Sequence, residues 1–195
     1  MADLKQVVVT TGATVTFEKL IKETLDLDFL NLLIELGFNS MVVQFGKKIE
    51  AKELILKLLP FEQYSETKSS TSDYIIKGEF KNLKLKCIPF DTDLIGNYIC
   101  NSAMVISHAG TGSIMDTLRT NDKIKLVVMV NESLLDNHQR ETADAFESLG
   151  VLKSVCGKER IIDVVRGLEP NFPNGKLPSP NGRIIGQIIR EELFD

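Results

Sequence analysis

The chain has no tryptophan, two histidines, three cysteines and six prolines in 195 residues, and aromatic residues make up only 7% of it. Each scarcity excludes something. His108 and His138 are too few for a histidine-rich metal site. Cys87, Cys100 and Cys156 are odd in number, far apart and free of any CxxC pair. That argues against a disulfide framework and for reduced, buried thiols. Basic charge is lacking too: 23 Lys+Arg stand against 27 Asp+Glu, a net charge of −4. Such a balance leaves no electrostatic footprint for nucleic acid or an anionic membrane. The apolar runs, Val7 to Val9 and Leu126 to Val130, are strand-sized and far below a signal or spanning length. A cytosolic chain is therefore expected. What is present is apolar content of 43% with 26% charge. A chain this long buries roughly 70% of the surface it exposes when unfolded, enough for one domain without staples.

Val7-Val8-Val9-Thr10 is a β-branched run, followed by Thr11-Gly12-Ala13-Thr14 and then by Phe17, Leu20, Ile21, Thr24 and Leu25 at helical spacing. The pattern predicts strand, tight turn, helix. A second helix is predicted over Asp28 to Leu36 with Gly37 as its left-handed stop, then a strand at Met41 to Phe45 and a helix from Ala51 to Leu59. The polar segment 60–74 reads as a solvated loop or insertion. Strands are expected at Leu83 to Ile88, Met104 to Ile106, Lys125 to Val130 and Val151 to Cys156. Helices are expected at Asp91 to Cys100, Ile114 to Arg119, Gln139 to Leu149 and Glu159 to Leu168. Pro170, Pro173, Pro178 and Pro180 mark 169–181 as a linker between a main domain, 1–168, and an amphipathic helix at 182–195. In that helix Ile184, Ile185, Ile188, Ile189 and Leu193 form one apolar stripe, suited either to the domain's own core or to a partner. Alternating strands and helices with continuous apolar strands imply an α/β fold with a parallel, doubly wound sheet. Ligands bind such sheets at the carboxyl ends of the strands.

Three strand ends carry small or polar residues: Thr10 to Thr14, Ser107 to Ser113 and Asn131 to Gln139. The central one, SHAGTGS, leads from a buried strand into a helix, so its backbone N–H groups and the helix dipole can approach an anion such as a diphosphate. It equally serves as a connector needed only for helix packing. It lacks the Lys of a GxxxxGK[ST] loop and the third glycine of a dinucleotide fingerprint. Asp116, placed by this reading in the first helical turn, could favour the helix dipole or accept hydrogen bonds from a ribose diol. Asp136 suits a helix cap, whereas Asn137, His138 and Gln139 offer the mixed donor and acceptor capacity that sugar hydroxyls need. A Ser113, His108, Asp116 hydrolase triad is disfavoured: Ser113 lacks the trailing glycine of a G-x-S-x-G elbow and shares one short loop with His108.

SHAGTGSIMDTLR at 107–119 and LLDNHQRETADAF at 134–146, with TTGATVTFEKLI at 10–21 and VVQFG at 42–46, resemble the C-terminal domain of family 28 glycosyltransferases. The resemblance runs from about Val7 to Gly150. It implies a Rossmann-like domain equivalent to the C-terminal, UDP-sugar-binding half of a GT-B enzyme. By the same resemblance Gly110, Thr111, Gly112 and Ser113 bind the donor diphosphate with Thr14 facing them. Asp116 binds the ribose, Phe90 lies near the uracil, and Asn137, His138 and Gln139 touch the sugar. His108 stands where a bacterial relative has an Arg and receives no role. The implied activity is that of an inverting transferase subunit moving GlcNAc from UDP-GlcNAc to GlcNAc-diphosphodolichol in lipid-linked oligosaccharide assembly. One chain supplies one half only, so a membrane-anchored partner would bring the acceptor half, the general base and recruitment to the cytosolic face of the endoplasmic reticulum. UDP-GlcNAc enters as substrate, and no cofactor, metal or nucleic acid is expected. The alternative is a nucleotide-sugar-binding or scaffold protein without transferase activity.

Overall fold

Val7, Val8 and Val9 are all fully buried. An uninterrupted β-branched run achieves this only in a strand covered on both faces. A computed structural model describes residues 4–12, 16–60, 64–68, 74–131 and 138–177. The first half runs β1 (Gln6–Thr10), α1 (Glu18–Thr24), α2 (Leu27–Glu35), β2 (Ser40–Gln44), α3 (Ile49–Leu58), β3 (Ser65–Lys68), β4 (Tyr74–Phe80) and β5 (Leu83–Ile88). The second half runs α4 (Leu94–Asn97), a 3-10 turn (Ile99–Asn101), β6 (Ser102–His108), α5 (Thr111–Thr120), β7 (Lys125–Met129), α6 (His138–Ser148), β8 (Lys153–Val155) and α7 (Ile161–Arg166).

The strands form one sheet in the order β3-β4-β5-β2-β1-β6-β7-β8. From β2 across to β8, and between β2 and β5, all pairs are parallel. Strand order reverses at β1, whose neighbours are β2 and β6. Alternate strand residues feed two cores. Val7, Val9, Met41, Val43 and Ile106 pack with Leu20, Leu30, Ile55 and Ile161, while Val8, Val42, Val105 and Val128 pack with Ile99, Ile114 and Ala143. Helices thus cover both faces, as the doubly wound reading requires.

The sheet is mixed where the sequence pattern predicted only parallel strands. β4 pairs antiparallel with both β3 and β5. Part of the polar segment 60–74 is therefore strand β3, tied to α3 by an ion pair from Lys52 to Glu66 at 2.9 Å. The expected helix from Asp91 to Cys100 is interrupted, since Asp91 accepts from the Asp93 N–H and Asp93 caps Gly96, delaying the helix to Leu94. Gly37 and Gly150 adopt φ of +80° and +70° after α2 and α6, the left-handed stops anticipated for them. Of the cysteines only Cys87 is buried; Cys100 is exposed and Cys156 intermediate, which corrects the expectation of three buried thiols. The proposed tail helix at 182–195 and the end of the linker lie outside the described residues. The linker's start is packed on the domain, with Phe172 buried and the N–H of Gly175 donating to the Gly150 carbonyl.

Candidate functional site

The strand-order reversal places the ends of β1 and β6 side by side, and a cleft of about 320 Å³ opens there. Its floor is Thr10, Gly12 and Gln44; its walls are Phe90, Asp91, Thr92, Leu94, Ile95 and Ile99 on one side and His108, Gly110, Gly112, Ser113 and Asp116 on the other.

Strand β6 extends to His108 and helix α5 begins at Thr111, so Ala109 and Gly110 are the whole connector. Thr111, Gly112 and Ser113, read from sequence as loop, are the first turn of the helix. Gly110 occupies the capping position with no side chain to offer the turn a hydrogen bond. Among the described residues the first-turn N–H groups thus keep no side-chain partner, and they carry the positive end of the dipole. Gly110 and Gly112, though close in sequence, do different work. A Cβ on Gly110 would overlap His108 Nε2, whereas a Cβ on Gly112 would meet nothing within 4 Å among the described residues. The fold requires the first glycine; the bareness at Gly112 leaves room for a ligand to approach the backbone.

The helix start also changes the reading of Asp116. It is the sixth residue of α5 and not in its first turn, where the structure places no acid. Dipole stabilisation fades within that turn, so the helix-dipole alternative loses its basis. The carboxylate is exposed on the rim of the cleft.

His108 is held in a slot between two glycines. A Cβ at Gly12, whose φ is +81°, would lie 2.8 Å from its Cε1. Its Nδ1 is buried with no hydrogen-bond partner among the described residues. Burial pushes the imidazole below its usual pKa, with the Thr10 backbone pulling the other way. The ring is therefore neutral near pH 7.

Phe90 is half-buried on the opposite wall, with Lys47 Nζ 4.9 Å from its ring centroid. The structure thus brings together Phe90, Gly110, Gly112, Ser113 and Asp116. Thr111 is exposed and does not line the cleft, and neither does Gln139, whose half-buried side chain leaves Oε1 without a partner among the described residues. Thr14 and Asn137 lie outside the described residues, and His138 is the first residue of α6. Sequence reasoning missed Gln44 and the wall of Leu94, Ile95 and Ile99. Gln44 ends an apolar strand, and only its near-total burial marks it out.

A doubly wound α/β domain with an uncapped helix start at a switch-point cleft is the class that fold and site define. The match to the glycosyltransferase family 28 C-terminal domain covers residues 6–176, and the chain belongs to that family. It is 38% identical over 191 residues to the UDP-N-acetylglucosamine transferase subunit ALG13 of Saccharomyces cerevisiae, covering 90% of this chain and 89% of the relative. With the ALG13 of Debaryomyces hansenii identity is 34% over 217 residues, covering 97% and 99%. The NMR solution structure of ALG13 superposes with a TM-score of 0.66 at 29% identity over 99% of this chain and 98% of that one. The S. aureus MnaA–UDP structure shares the fold alone, with a TM-score of 0.60 at 17% identity, covering 98% of this chain and 46% of that one. Among the described residues no helix is long and apolar enough to cross a membrane.

Proposed function

We propose that this chain is the donor-binding subunit of an inverting glycosyltransferase that moves GlcNAc from UDP-GlcNAc to GlcNAc-diphosphodolichol. The observation that carries this reading is the uncapped first turn of α5 opening on the switch-point cleft, with Asp116 on its rim. The N–H groups of Thr111, Gly112 and Ser113 receive the diphosphate, Asp116 accepts the ribose hydroxyls, and Phe90 stands by the uracil. Thr14, Asn137 and His138 complete the set on the diphosphate and sugar. The names borne by the relatives support the donor assignment.

In the proposed reaction an acceptor hydroxyl displaces UDP directly at the anomeric carbon. The charge that develops on the leaving diphosphate falls on donors already aimed at it, so stabilisation grows as the bond breaks. The acceptor is lipid-linked, and its binding half and the general base belong to a membrane-anchored partner. That partner draws this chain to the cytosolic face of the endoplasmic reticulum, with segment 182–195 as the docking element. No resident cofactor is part of the proposal.

Reconstitution tests it. The full chain, mixed with membranes carrying the acceptor half, should yield a lipid-linked disaccharide from UDP-GlcNAc, and neither component alone should do so. Donor binding without transfer would support the non-enzymatic reading instead.

A further inference from the structure

A chain of hydrogen bonds under the cleft sets the polarity of a hydroxyl at the end of β1. The backbone N–H of Asp91 donates to Gln44 Oε1 at 2.9 Å. An amide N–H can only donate, so the oxygen of the Gln44 side chain must face Asp91 and its Nε2 must face Thr10. Gln44 Nε2 donates to Thr10 Oγ1 at 2.9 Å, and the Gly12 N–H donates to the same oxygen at 3.4 Å. Gln44 and Thr10 are each 2% exposed, so water does not compete for these positions. A hydroxyl oxygen has two acceptor sites, and both on Thr10 are taken. Its proton is left to donate, among the described residues it meets no acceptor, and Thr10 lines the cleft beside Gly110 and Gly112.

We propose that Thr10 is a further donor-substrate-binding residue, giving its hydroxyl proton to an anionic oxygen of the bound diphosphate, and that Gln44 is the positioning residue that forces this polarity. The inference rests on the UDP-sugar reading of the cleft. It also explains why a glutamine is buried at the end of β2. An acid of the same shape there would accept from Asp91 with one oxygen and capture the Thr10 proton with the other.

Calorimetric or NMR titration of the full chain with UDP and with uridine tests it. Thr10→Val should weaken UDP binding about tenfold or more, as expected for a lost hydrogen bond to a charged group, and leave uridine binding unchanged. Thr10→Ser should bind UDP within about twofold of the parent. Gln44→Glu should weaken UDP binding in the parent chain and do so less in the Thr10→Val background, because the proton it diverts is already gone. Unchanged UDP affinity in Thr10→Val would overturn the assignment while leaving the cleft's function intact, as would equal losses for UDP and uridine. A parent chain that binds neither ligand would overturn both the assignment and the UDP-sugar reading.

Discussion

His108 and Gly110 are in such close contact that the imidazole fills the space where any side chain on the glycine would begin. Gly12 closes the other side of the ring. The two glycine-bearing strand ends, β1 and β6, are therefore packed through one histidine. Gly110→Ala should destabilise the fold by about 1–3 kcal/mol, the usual cost of overpacking. Urea unfolding of Gly110→Ala together with His108→Ala should recover most of that loss. An unrelieved double variant would mean that the glycine is needed for another reason.

The same ring sets a pH dependence. The folded state holds His108 below its usual pKa, so on acidification the unfolded chain takes up a proton before the folded one does. Stability contributed by the neutral ring is complete above about pH 6.5 and declines as pH falls toward the depressed folded value. The slope is at most about 1.4 kcal/mol per pH unit for one proton. His108→Gln should flatten this acid limb in unfolding free energies measured from pH 7.5 to 5.0, with about 6.5 as the onset. Parallel curves for parent and variant would assign the slope elsewhere.

Gly112→Ala should move stability and binding in opposite directions. A methyl there meets no neighbour among the described residues, and alanine gains up to about 1 kcal/mol over glycine in a helix. It also projects over the first turn, so UDP affinity should fall although the melting temperature rises. Undiminished affinity would place the diphosphate away from this turn.

Asp116→Ala should leave unfolding free energy within about 0.5 kcal/mol of the parent, because the residue is exposed and beyond the first turn. Calorimetry with UDP-GlcNAc should show a loss of about 1–3 kcal/mol, the range for charge-assisted bonds to a diol. A destabilised chain with unchanged affinity would restore the purely structural role.

Thiol labelling under native conditions should rank Cys100 first, Cys156 next and Cys87 last. Cys100 is exposed, whereas burial pushes the Cys87 thiol up to about 12, leaving almost no thiolate at pH 8. Full labelling of Cys87 at the rate of Cys100 would mean that the β5 region opens on the labelling timescale.

Residues 6–10, 40–44 and 125–129 were legible as strands because a strand buried on both faces needs an unbroken apolar run, and that demand is local; 83–88 was legible by alternation, with Leu83, Leu85 and Cys87 buried and Lys84 exposed between them. The left-handed stops at Gly37 and Gly150 were legible for the same reason. The hairpin from β4 to β5 was not. Its two-residue turn is Lys81-Asn82, with Lys81 at φ +56°, a conformation that turn glycines ordinarily announce. Nothing in SETK marks β3 as a strand apart from the neighbour it pairs with.

The site divides along the same line. Sequence alone located the glycine-bearing turn after β6, the acid behind it and the strand ends where a ligand would lie, because local chemistry dictates which backbone can approach an anion. Only the tertiary structure decided where α5 begins, and with it that Thr111, Gly112 and Ser113 are helix and that Asp116 lies past the dipole's reach. Only the tertiary structure brought Phe90 across from Gly110, slotted His108 between two glycines 98 residues apart in sequence (12 and 110), and ran Gln44 under the cleft from Asp91 to Thr10. These pairings join separate strands, and strand order is settled by how the whole sheet buries its two faces, which no local pattern contains.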